Sequence, residues 1–180
     1  MAPLARVLAC LSLTLACSMP AFAGKGPAHM AADAMLKHLQ TRVTRFEDLY
    51  PDVRTHIAAE IGSGHIGALE LDMDGDGYAD LAVLVRVKKQ DSEAFEIYRC
   101  RDACRKIQTI DMGPFSPIAY LTKLPVGTTV TAEIAFDGSG HPASVVLAHP
   151  AVALNYWGKR QYVYYWDSAS RTIKKLTVDE

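Results

Sequence analysis

The sequence predicts an α+β fold, with one or two N-terminal helices packed on an antiparallel meander of about six to eight strands. Three observations carry this. Between Met30 and Phe46 apolar residues recur every three or four positions, the period of one helix face. From His65 onward the pattern shifts to a period of two, interrupted by short polar or glycine-rich turns. At that shift stands an acidic stretch, Asp72-Met73-Asp74-Gly75-Asp76-Gly77-Tyr78-Ala79-Asp80, followed at once by the apolar run Leu81 to Val85.

The first helix is expected over residues 30–46, with Ala32, Met35, Leu36, Leu39, Val43 and Phe46 toward the sheet and Lys37, Gln40, Arg42 and Arg45 in water. His29 and His38 have no acidic or cysteine neighbour at a ligand spacing and read as surface residues. A second helix is expected over residues 51–61. Pro51 suits a first helical turn and Asp52 favours the positive helix start. Val53, Ile57 and Ile61 share one side, and Gly62-Ser63-Gly64 stops the helix.

The first strand runs from His65 into the acidic stretch. Leu81 to Val87 is apolar for five residues, as a strand buried on both faces would be. After the polar turn Lys88 to Ser92, residues 94–99 form a third strand, with Phe95, Ile97 and Arg99 on one face. Residues 105–110 form a fourth. Gly113, Pro114, Pro117, Pro125 and Gly127 make 111–127 read as a breaker-rich connection. Strands resume over residues 128–136 and 143–148 around the turn Asp137-Gly138-Ser139-Gly140. A last pair is expected over residues 162–166 and 172–178.

The start of the chain reads as an export signal. Arg6 supplies the positive end, residues 7–16 an apolar run, and Ala21-Phe22-Ala23 a small-x-small site for cleavage after Ala23. Lipidation at Cys17 is the competing reading, weakened by Thr14 where an aliphatic residue is usual. The apolar run is short of the about 20 residues that span a membrane. The expected mature chain is a single domain, residues 24–180, directed to the periplasm or secreted. Without Arg6, the 19 lysines and arginines become 18, against 20 acidic residues, a balance that argues against a nucleic-acid surface. Cys100 and Cys104 remain once Cys10 and Cys17 leave with the signal. An oxidising compartment and the absence of a second pair predict a disulfide across a tight loop.

The acidic stretch concentrates four carboxylates in nine residues, and that charge repels itself unless a cation neutralises it. Calcium takes about six to eight oxygen ligands. Counting Asp72 as position one, Asp74 and Asp76 stand at three and five, Tyr78 at seven would offer its backbone carbonyl, and Asp80 stands at nine. Gly77 falls at six, where an EF-hand-like loop turns sharply. No nitrogen or sulfur donor lies here for zinc. Position twelve is Val83 and not the bidentate glutamate of a complete EF-hand, and strand rather than helix follows.

On Asp72, Asp74, Gly75, Asp76, Gly77 and Asp80, followed by Leu81-Ala82-Val83, the loop resembles the Asp-x-Asp-Gly-Asp-Gly-x-x-Asp loop of FG-GAP and VCBS repeats. The likeness spans about 20 residues and one repeat. It implies calcium bound between two strands of a propeller-blade-like meander in a small exported bacterial protein. A full propeller needs about four or more blades, and the mature chain is too short for them. Asp137-Gly138-Ser139-Gly140-His141 is at most a degenerate echo of the loop.

The functional expectation is an exported, non-enzymatic, calcium-stabilised domain that binds a protein or a carbohydrate. One alternative is an enzyme inhibitor or immunity-type protein acting through residues 99–106, where Arg99, Arg101, Arg105 and Lys106 cluster. Another is an exported hydrolase. Ser63 beside His65 and Ser139 beside His141 lack the strand–elbow–helix setting of a nucleophilic serine. The aromatics Tyr156, Trp157, Tyr162, Tyr164, Tyr165 and Trp166 could form a binding platform, although alternation along a strand more commonly divides aromatics between core and surface.

Overall fold

The structure, a computed structural model, describes residues 29–60, 66–87, 91–132 and 144–179. The expected signal segment, Ser63, His65, Ser139, His141 and the 137–141 turn lie outside the described residues.

Helix α1 spans Met30–Leu39 and α2 spans Pro51–Glu60. Helix α1 is shorter than its periodicity suggests. The amides of Arg42 and Val43 both donate to the Leu39 carbonyl and close it. The β-branched residues Thr41, Val43 and Thr44 then favour extended backbone. Val43 forms a bridge with Val85, and the Thr44 amide donates to the Leu84 carbonyl. Phe46 opens a short 3-10 turn, Phe46–Asp48, and packs toward α2. Helix α2 forms as expected, burying Val53 and Ile57.

The fold is mostly β. In place of one sheet of six to eight strands, the described residues form ten strands in three sheets. Strands β1 (Ala68–Leu71), β2 (Asp80–Val87), β3 (Ser92–Cys100) and β4 (Cys104–Pro114) form an antiparallel meander in sequence order. Strands β5 (Ala119–Leu124), β8 (Ala151–Tyr156), β9 (Arg160–Asp167) and β10 (Thr172–Asp179) form a second antiparallel sheet, ordered β10-β9-β8-β5. Strands β6 (Thr129–Thr131) and β7 (Ser144–Val146) pair as a small third sheet.

Two strands, β5 and β8, depart from the sequence expectation. Pro117 and Pro125 suggest a loop throughout 111–127, yet they flank β5 outside its ends, where no ladder amide is needed. Strand β8 has Ala-Val-Ala-Leu with no polar alternation because both its faces are covered.

The layers follow from the strand faces. Ala82, Leu84, Phe95 and Ile97 of the first sheet meet Leu121, Val152, Leu154 and Tyr164 of the second. Leu81, Val83 and Val85, on the opposite face of β2, pack under Ala32 and Leu39 of α1. The β6–β7 hairpin covers Ala151, Ala153 and Val163 on the outer face of the second sheet. Strand β2 is therefore buried on both faces, as its unbroken apolar run predicts. The C-terminal aromatics are divided between layers and do not form one platform. Tyr164 packs on Phe95 with ring centroids 4.8 Å apart, whereas Tyr165 borders the hairpin cluster.

Candidate metal centre

Strands β1 and β2 pair through Leu71 and Asp80, so residues 72–79 form the loop of their hairpin. The loop folds its amides inward onto its own carboxylates. The Asp72 carboxylate accepts from the Gly75 amide at 2.8 Å and the Gly77 amide at 2.9 Å. Asp74 Oδ1 accepts from the Asp76 amide, and Asp76 Oδ1 from the Tyr78 amide. This winding needs left-handed backbone at Gly75 and Gly77, with φ of 76° and 86°. A side chain at Gly75 would also strike the His149 ring.

Asp80 anchors the loop to the rest of the sheet. Its carboxylate accepts from the Met73 amide at 3.1 Å and from the Cys100 amide at 2.9 Å. Burial pushes its pKa up to about 7. The Cys100 amide opposes that rise, the charge of Asp74 adds to it, the Met73 amide opposes it, and the charge of Asp76 adds to it. Met73, between the first two aspartates, is buried in the core between the sheets.

Asp72, Asp74 and Asp80 each present an oxygen within 4.8 Å of the others. Such an all-oxygen set suits a hard cation such as calcium and offers nothing to a soft one. The donor chemistry therefore fits the calcium that the sequence implies. Asp76 stands apart from this trio, its Oδ2 lying 3.5 Å from Arg99 Nη2. Tyr78 lies in the loop with its ring beneath the Arg101 guanidinium, 5.3 Å away. Val83, at the twelfth position, is fully buried under α1, so no ligand comes from there.

Cys100 and Cys104 are disulfide-bonded across the β3–β4 turn, as predicted, with Cα atoms 4.0 Å apart. The pairing of β3 with β2, and the Cys100 amide on Asp80, bring the basic turn beside the acidic loop. Arg99 Nε reaches Asp74 Oδ2 at 2.6 Å, and its guanidinium also lies 5.8 Å from the Trp166 ring. Sequence reasoning groups Arg99 with the exposed arginines and misses this pairing, which depends on β3 running beside β2. It also misses His149. His29 faces Glu70 on β1 at 3.5 Å, and His38 is exposed.

The chain matches no family model, no curated protein and no solved structure. No helix among the described residues is long and apolar enough to cross a membrane.

Proposed function

We propose that this is an exported, non-enzymatic domain that uses calcium to pin a blade-like β1–β4 meander and offers its surface to a protein or carbohydrate partner. The reading is supported chiefly by the convergence of Asp72, Asp74 and Asp80 oxygens within 4.8 Å in the loop of an Asp-x-Asp-Gly-Asp-Gly hairpin. Asp76 and the Tyr78 carbonyl complete the ligand set when the loop closes on the ion, in the manner of FG-GAP and VCBS loops. The role of the ion is structural. Strand, not helix, leaves the loop, so no helix pair is there to be opened by calcium.

Thermal melts with calcium and with chelator test this. Calcium at about 100 times its Kd adds roughly 2.7 kcal/mol. That corresponds to a rise of about 5–10 °C in Tm for a chain of this size. Asp72→Asn and Asp74→Asn should each remove most of the rise. Superimposable wild-type curves would dispose of the calcium reading.

A second reading, an inhibitor or immunity-type protein, is favoured by the cleft at the disulfide turn. It has a volume of about 410 Å³ and is lined by Arg99, Arg101, Asp102, Ala103, Arg105 and Ile107. Ile107 is exposed there among the arginines, a combination suited to an acidic protein surface. Capture of a periplasmic enzyme that survives alanine replacement at Arg101, Arg105 and Ile107 would count against it.

A further inference from the structure

We infer that Arg99 is a built-in competitor of the divalent cation for Asp74 and Asp76, an inference that rests on the calcium reading above. The loop spends one oxygen of each of these carboxylates on its own backbone: Asp74 Oδ1 on the Asp76 amide and Asp76 Oδ1 on the Tyr78 amide. The remaining oxygens, Asp74 Oδ2 and Asp76 Oδ2, are the two that Arg99 approaches, at 2.6 and 3.5 Å. A calcium ion drawing on the same pair must displace the guanidinium or share them with it.

The contact is an ion pair without an aligned hydrogen bond, and its arginine side is open to water, which screens it. The Asp74 side chain is 4% exposed, yet its Oδ2 has no aligned hydrogen-bond donor despite the short distance to Arg99 Nε. A hard cation needs no donor alignment and satisfies that buried oxygen better. Arg99 itself is 42% exposed and has other places to go. Its guanidinium already lies near Trp166 and lines the cleft with Arg101 and Arg105. Calcium loading therefore moves a positive charge from the acidic loop toward the basic turn. By linkage, an anion that held Arg99 in the cleft would tighten calcium binding, and calcium would tighten that anion's binding by the same factor.

Calorimetric calcium titration of wild type, Arg99→Gln and Arg105→Gln is the test. Arg105 supplies the same charge to the same cleft, and its variant measures the effect of net charge alone. Arg99→Gln should bind calcium about fivefold more tightly, the scale of a partly exposed ion pair. Arg105→Gln should change the Kd by less than about twofold. Equal effects from the two variants, or an unchanged or weaker Kd in Arg99→Gln, would overturn the inference while leaving the calcium site standing. Absence of calcium heat in wild type would remove both. A second readout uses a Trp157→Phe background, in which Trp166 is the remaining tryptophan. Calcium should shift its emission, and Arg99→Gln should abolish that shift. A shift of the same size in both proteins would also overturn the inference.

Discussion

Glu93 lies on β3 with 1% of its surface exposed, and the equally buried Thr44 hydroxyl donates to its Oε1. Its Oε2 lacks a well-aligned donor, although the Ser116 backbone lies near enough to favour the charged form. Arg86, directly opposite Glu93 on the neighbouring strand β2, is shared with Asp48 and Asp91 and sits over the Phe115 ring, so its charge offsets the burial only in part. Burial therefore dominates and raises the Glu93 pKa above its ordinary 4.5, with the Thr44 hydrogen bond opposing the rise. The sign follows. Above the unfolded value the folded chain holds a proton that the unfolded chain has lost, so this contribution is greatest at low pH and is lost as pH rises through the folded value. Asp80 adds a slope of the same sign between 3.8 and about 7. Glu93→Gln should flatten the fall in urea midpoint between pH 4 and 8, leaving the Asp80 part. An unchanged slope would mean that Glu93 binds its proton equally in the folded and unfolded chains. Nothing in the sequence singles out Glu93, since Asp91-Ser92-Glu93 looks like the end of a polar turn. Its partner Thr44 is 49 positions away. The aspartates of the loop were legible because their ligand spacing is local, whereas Arg99 and His149 reach the loop only through tertiary packing.

At the scale of elements, one edge of β2 is shared by two segments, and Gly67 is where they meet. Leu84 receives the Thr44 amide on its carbonyl and gives its own amide to the Gly67 carbonyl. A methyl group at 67 would stand 1.9 Å from the Thr44 carbonyl oxygen and 2.9 Å from its carbon, both backbone atoms that cannot swing aside. Gly67→Ala should therefore cost about 1–3 kcal/mol through overpacking. Gly127→Ala, at φ 82° but facing open space, should cost only the left-handed backbone penalty of about 1 kcal/mol. Chemical denaturation of the two variants checks the contrast, and equal losses would show that the 42–44 segment yields freely. The same edge explains why α1 is shorter than its periodicity. Val43 keeps helical spacing in the sequence but is drawn into a bridge with Val85. Strands β3, β9 and β10 were legible from alternation and turns, and β2 from its unbroken apolar run after the aspartates. Strands β5 and β8 were not, because prolines border β5 and the short apolar run of β8 carries neither alternation nor a motif before it.

Across the whole molecule, the layers tie the loop to strands at the far end of the chain. Leu71 and Met73 flank Asp72 and are buried in the same cluster as Leu154 and Tyr164. Phe95, on Tyr164, is central to that cluster and fully buried. Phe95→Ala should cost about 3–5 kcal/mol. If the two sheets unfold as one unit, calcium bound at the β1–β2 loop should stabilise this variant by the same increment as wild type, since a ligand that binds only the native chain adds its linkage energy whatever the starting stability. Hydrogen exchange distinguishes this from a local effect. Calcium should raise protection of the slowest β8 and β9 amides by the same factor as those of β2 and β3. Protection confined to the first sheet would show that the sheets open separately, and that the ion holds a hairpin rather than the fold.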